Sequence, residues 1–137
     1  MPYEVIDHTA DSGIRVWAST LPDLFAEGCR ALFEQITDLK QITETHAQTI
    51  CVDGIDQTDL LINWLRACLL EWTANQCVIQ SAKIVEIRDT WLEARVFVRA
   101  FDPQKHPVFA DIKAVTYHSA NLSPTSDGWQ GEVIFDL

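Results

Sequence analysis

No apolar run in the 137 residues approaches the roughly 18 to 20 needed to span a bilayer. The start, Met1-Pro2-Tyr3-Glu4, lacks the basic region and apolar stretch of an export signal. A soluble, cytoplasmic protein with no membrane association is therefore expected. Cysteine is sparse: Cys29, Cys51, Cys68 and Cys77 form no C-x-x-C pair, which argues against a zinc knuckle or a thioredoxin-like redox motif and for free thiols in a reducing compartment. Basic residues are also few. Ten Lys and Arg face twenty Asp and Glu, and the formal charge of −10 would repel a phosphate backbone, so tight direct binding to nucleic acid is disfavoured. An acidic surface suits a basic protein partner or a hard cation, and serves plain solubility equally well. The chain contains no glycine-rich phosphate loop, G-x-S-x-G elbow, H-E-x-x-H pair, tandem repeat or low-complexity tract.

What is present is a core. Hydrophobic residues make up 47% of the chain, enough for one ordinary domain spanning residues 1–137. Residues 3–7 and 14–18 read as short strands around the polar loop His8-Thr9-Ala10-Asp11-Ser12-Gly13. Leu21, Leu24, Phe25, Leu32, Phe33 and Ile36 recur at three- and four-residue steps, with Thr20 as cap and Pro22 in the first turn, and predict an amphipathic helix ending near Thr37-Asp38. Gln48 to Val52 reads as a strand, with a turn at Asp53-Gly54. A second helix is marked by Asp56 or Thr58 as cap and by Leu60, Leu61, Trp64, Leu65, Cys68, Leu69 and Trp72. Both helical cysteines, Cys29 and Cys68, fall where a core would bury them.

Strand-like stretches then follow at Val78 to Arg88, Trp91 to Phe101, Asp111 to His118 and Gly131 to Phe135. The alternation of Ala94, Val96, Val98 and Ala100 with Arg95, Phe97 and Arg99 fits a half-buried antiparallel sheet. The expected class is α+β: two amphipathic helices packed on a mostly antiparallel β-sheet, without β-α-β alternation.

Three polar clusters could carry chemistry: His8-Thr9-Ala10-Asp11, Lys105-His106-Pro107 with Ile112-Lys113-Ala114-Val115-Thr116-Tyr117-His118, and Phe135-Asp136-Leu137. Taken alone, Asp11 fits an Asx-type turn as readily as a ligand position. His8, His106 and His118 fit ligand, base or purely local hydrogen-bonding roles, and Lys113 fits a solvated strand face as well as a functional cation. Their order along the chain is more informative. The chain resembles the archease family in its H-T-A-D loop, the Thr37-Asp38 pair closing the first helix, the L-L-x-x-W-L second helix, the K-H-P loop, the I-K-A-V-T-Y run and the D-L ending. It departs from the family at position 12, Ser where an aliphatic residue is usual, and where Val98-Arg99 or Arg99-Ala100 replaces a common Gly-Glu before the K-H-P loop.

The resemblance implies a non-catalytic activator of the GTP-dependent RtcB-type RNA ligase of tRNA splicing, one that promotes ligase guanylylation and multiple turnover. It implies a divalent-cation site at Asp11, Asp136 and Leu137, the last through main-chain or terminal carboxylate oxygens. Lys113, His8 and His118 are the implied partner-activating residues. Carboxylates ionise near ~4, so those drawn together at neutral pH repel unless a cation or proton neutralises them. All-oxygen ligation favours calcium, with magnesium or manganese as the other candidates, over zinc. Two rival readings belong to other classes: a metal-dependent phosphoester hydrolase, using carboxylates with His and Lys to activate water, and a general chaperone-like interaction module.

Overall fold

A computed structural model of the chain describes residues 3–7 and 11–137, and within them both expected helices form. The chain runs β1 (Tyr3–Asp7), β2 (Asp11–Ala18), α1 (Leu21–Ile36), a 3₁₀ turn (Leu39–Gln41), β3 (His46–Asp53), α2 (Gln57–Thr73), β4 (Cys77–Arg88), β5 (Trp91–Ala100), β6 (Ala114–Thr125) and β7 (Gly128–Asp136). At the start of α1, extended Thr20 accepts the Asp23 N–H through Oγ1 at 3.2 Å, and Pro22 occupies the first turn, where its missing N–H costs nothing. Asp56 does the same for α2, accepting the Asp59 N–H at 2.8 Å, which settles the choice between Asp56 and Thr58 as its cap. α1 ends where Thr37 returns to extended backbone and sends its N–H to the Phe33 carbonyl at 3.0 Å.

The strands form two antiparallel sheets, β1-β2-β7-β6 and β3-β5-β4. Both helices contact strands of both sheets, and the buried apolar residues of all layers join in one cluster. Leu24, Phe25, Leu32, Phe33 and Ile36 of α1 meet Leu60, Trp64, Leu65 and Cys68 of α2 there, and Trp64 Nε1 donates to the Phe25 carbonyl at 2.8 Å so that its indole N–H is satisfied within the core. Cys29 and Cys68 are both buried, as their helical positions predict. In β5 the alternation holds for Ala94, Val96 and Val98, all buried, and fails at Ala100, which is exposed where the strand ends.

Several strand boundaries differ from the sequence-based expectation; β7, for one, begins at Gly128 rather than Gly131. β2 begins at Asp11 rather than residue 14, because residues 11–13 find partners on β7, so Asp11 is a strand residue and not part of a loop. β6 starts later than expected, at Ala114, and continues through Ser119-Ala120-Asn121-Leu122-Ser123-Pro124-Thr125, whose polar and proline content reads as loop. An edge strand tolerates both: β6 pairs only with β7, and the missing N–H of Pro124 interrupts no second ladder. Between Thr116 and Asn121 the register shifts, and Ser119 adopts φ 55°, so residues 117–120 bulge from the edge.

The tightest apposition lies between β2 and β7. A Cβ added at Gly13 would come within 2.7 Å of the Val133 carbonyl oxygen and 2.8 Å of Ile134 Cδ1, because the fully buried Ile134 side chain lies across Gly13. Gly13→Ala is expected to destabilise the protein by about 1–3 kcal/mol, the usual cost of forcing extra volume into packed structure. Urea unfolding measures this; a variant as stable as the parent would show that the two strands are not so closely apposed.

Candidate functional site

Residues directly opposite one another in an antiparallel pair present their side chains on the same face. In the four-stranded sheet, Ser12 with Phe135 and Val115, and Ile14 with Val133, mark the core-facing side. The intervening positions face the other way. One of those rows reads Asp11, Asp136, Ala114 across β2, β7 and β6. Residues 11, 114 and 136, distant in sequence, are thereby brought side by side at one end of the sheet. The next row on the same face contains Gly13, Ile134 and Thr116, so an apolar floor of buried Ile134 adjoins the two carboxylates.

Lys113 immediately precedes the first residue of β6, and its backbone N–H donates to the Asp136 carbonyl at 2.8 Å. Its side chain is exposed. Of the residues predicted for the site, Asp11, Asp136 and Lys113 are thus brought together, and Leu137 follows Asp136 directly, half exposed. His118 is not in that row. It lies in the bulge, exposed, with its backbone N–H on Thr116 Oγ1 at 3.2 Å. His8 lies outside the described residues.

Asp11 and Asp136 enter no ion pair among the described residues, while Arg15 bridges Glu4 and Glu132 further along the same face. Two facing carboxylates without a cationic side chain suit a hard cation by donor chemistry. Among the described residues, however, no three His, Cys, Asp or Glu side chains gather as a metal would need. Asp11 and Asp136 would therefore supply only part of a shell, with main-chain oxygens and water supplying the remainder. Nor does any described hydrogen bond hold the Asp11 side chain in an Asx-type turn, the alternative that its sequence position leaves open.

The K-H-P loop has a structural role. His106 is buried, and its Nδ1 accepts the Asp102 N–H at 3.0 Å. Thr37 Oγ1 donates to the Pro107 carbonyl at 2.6 Å, and the Phe109 N–H donates to the Ile36 carbonyl at 2.7 Å. Ile36 and Thr37 therefore pin this loop to the end of α1, while Asp38 caps the 3₁₀ turn by accepting the Lys40 N–H at 3.1 Å.

Sequence reasoning missed a second polar cluster. The Tyr117 hydroxyl donates to Asp59, its ring lies under the Arg66 guanidinium at 4.5 Å, and Arg66 Nε donates to the Val115 carbonyl at 3.0 Å. The hydrogen bond holds the Asp59 carboxyl below, and the Tyr117 phenol above, their ordinary values. Asp59 and Arg66 lie on α2 and Tyr117 in the β6 bulge, a separation of 58 residues between the bonded groups that no local pattern discloses.

The chain matches the model of the Archease protein family over residues 3–137. It is 34% identical to the protein archease of Methanopyrus kandleri over the full length of both chains. It is 31% identical to that of Methanosarcina acetivorans, over 98% of this chain and 95% of the relative. The fold is similar to the solution structure of protein 1598 of Methanobacterium thermoautotrophicum, with a TM-score of 0.75, 25% identity and 99% of each chain covered. It is also similar to that of an archease, described as a possible chaperone, from Thermotoga maritima, with a TM-score of 0.62, 18% identity, and 96% and 94% covered.

Because like charges directly opposite on a sheet repel, Asp136→Asn is expected to raise cation-free stability by about 0.2–1 kcal/mol. It should also shrink any rise in melting temperature caused by calcium or manganese. Thermal melting with and without each ion, checked by calorimetric titration, tests both parts. Unchanged ion binding in Asp136→Asn and Asp11→Asn would remove these residues from the site.

Proposed function

The chain belongs to the archease family, and from that premise we propose that it is an accessory protein of an RtcB-type RNA ligase, acting through a cation-binding acidic tip. The observation that carries this reading is the meeting of Asp11, Asp136 and Lys113 at one sheet end through the registers of β2, β7 and β6. Asp11 and Asp136, with main-chain oxygen of Leu137, would hold the divalent cation, calcium first by donor chemistry. Bound there, the cation would neutralise the facing carboxylates and leave an ordered, partly charged tip that can enter another protein's active site. Lys113, hydrogen-bonded through its backbone to Asp136, would offer its ammonium to an anionic group of that partner. His118 and His8 are supporting residues in this reading, His118 from the bulge beside Tyr117. The predominance of acidic residues favours a basic protein surface over a phosphate backbone as the docking target.

The hydrolase reading needs a nucleophile or metal-activated water held by a preorganised donor set. It makes a distinct forecast: phosphoester turnover by the pure protein with calcium or manganese and no partner. The chaperone-like reading forecasts binding indifferent to Asp11.

Substoichiometric amounts of this protein are expected to raise guanylylation of a cognate 3′-phosphate RNA ligase and convert near-single turnover to repeated ligation, without the protein itself becoming labelled. Gel assays with radiolabelled GTP and RNA follow both steps. Lys113→Ala and Asp11→Ala should lower the stimulation by about ten-fold or more, the scale of losing one charge-assisted contact. Stimulation absent with wild-type protein across several metals would contradict the activator reading, and stimulation intact in both variants would place the working residues elsewhere.

A further inference from the structure

The Lys113 side chain faces a second feature of the surface. Between the C-terminal end of α2 and the connection from β5 to β6 lies a cleft of about 550 Å³, lined by Trp72, Gln76, Phe101, Pro103, Asp111 and Lys113 among others. That volume falls within the range of small-molecule sites. Its walls are aromatic and held in place. Trp72 and Phe101 meet edge to face, with centroids 5.0 Å apart and planes at 88°, and Phe101 is backed by buried His106 at 5.6 Å. Trp72 Nε1 donates to Asp111 Oδ1 at 3.2 Å, and the Gln76 carbonyl accepts the Phe101 N–H at 2.9 Å from a backbone held at φ 53°.

The polar groups of this cleft are divided by sign. One side carries an acceptor: Asp111 has a second carboxylate oxygen beyond the one that Trp72 occupies. The Gln76 side-chain amide enters no described hydrogen bond and can donate or accept at the rim. Lys113 supplies a cation, in ion-pair contact with none of the described carboxylates. Two perpendicular rings make a corner in which a flat ligand can stack on one face and meet an edge on its side.

We propose that this cleft is a purine nucleotide subsite: the base packs in the Trp72–Phe101 corner, its amino N–H groups reach Asp111, and its phosphate pairs with Lys113. A flat ring bearing both N–H donors and an anion satisfies every feature of the lining at once. An aliphatic side chain would leave Asp111 and Lys113 unmatched, and a free phosphate would leave the aromatic corner empty. The overall charge of −10 limits affinity for long polyanions, but with a screening length of about 10 Å at 0.1 M salt the local ammonium governs a single phosphate. The subsite would exist whether or not the protein assists a ligase, and its test contains no ligase.

The test is a titration of ¹⁵N-labelled full-length protein, following the Trp72 indole N–H, which is assigned by its loss in Trp72→Phe. GMP and AMP are expected to shift that signal saturably, with half-saturation below about 1 mM, in keeping with one stacked base plus one charged contact. Guanosine and adenosine, which lack the phosphate, should bind about ten-fold more weakly, and Lys113→Gln should bring the nucleotides down to the nucleoside level. A short RNA ending in a 3′-phosphate separates two sources of the ligand. Tighter binding than GMP identifies an RNA end as the occupant and equal binding a free nucleotide; both support the subsite. No saturable shift at 10-fold the expected concentration, nucleosides equal to nucleotides, or an acetylated Phe-Asp peptide binding more tightly than either nucleotide would overturn it.

Discussion

Everything proposed for the acidic tip depends on the register of β7 against β2. β7 is formed by residues 128–136, while β2 begins at residue 11, and the ladder between them sets Asp136 opposite Asp11, Ile134 opposite Gly13 and Val133 opposite Ile14. A slip of one residue would turn the carboxylates toward the helices and bring Ile134 and its neighbours out of their places. Two features forbid it. Val133 and Phe135 are wholly committed to the core, and Gly13 alone leaves room for Ile134 to cross the strand. The proposed site is thus positioned by apolar residues that would take no part in its chemistry.

The same ladder explains how carboxylates with no described counter-ion can be kept together. Much of the cationic side-chain inventory is engaged elsewhere: Arg15 with Glu4 and Glu132, Arg30 with Glu27 and Glu34, and Arg88 with Glu86. Such exposed pairs add little stability individually, generally below about 1 kcal/mol. Their consequence is one of distribution. Asp11 and Asp136 are left without a described counter-ion, and a cation bound by both would neutralise them. Lys113 stands between the carboxylate row, through its backbone, and the aromatic cleft, through its side chain.

How much of this was legible in the sequence follows from the range of each interaction. Both helices were legible in place and buried face, because the Thr20 cap and the periodic Leu, Phe and Trp residues act within one or two turns, while the cap of α2 stayed open between Asp56 and Thr58. The alternation in β5 disclosed its buried face for the same reason. The division of the strands into two sheets was not legible, since it depends on which strands pair. β6 was seen only in part because an edge strand accepts Pro124, a polar stretch and a bulge that a central strand would not. For the site, composition offered candidate carboxylates, and resemblance, rather than local pattern, selected Asp11 and Asp136. The pairing of Tyr117 with Asp59, and of Thr37 with the Pro107 carbonyl, joins groups 58 and 70 residues apart and carries no local signature.

On the reading proposed above, the end of the β1-β2-β7-β6 sheet, rather than any other acidic part of the surface, holds a divalent cation. Paramagnetic broadening by substoichiometric manganese tests it at single-residue resolution, using backbone amide signals of the labelled protein. Asp11, Ser12, Lys113, Ala114, Asp136 and Leu137 are expected to broaden first and together, and to recover on chelation. Broadening centred on Asp53, Asp56 and Asp89, with those six signals unaffected, would contradict it.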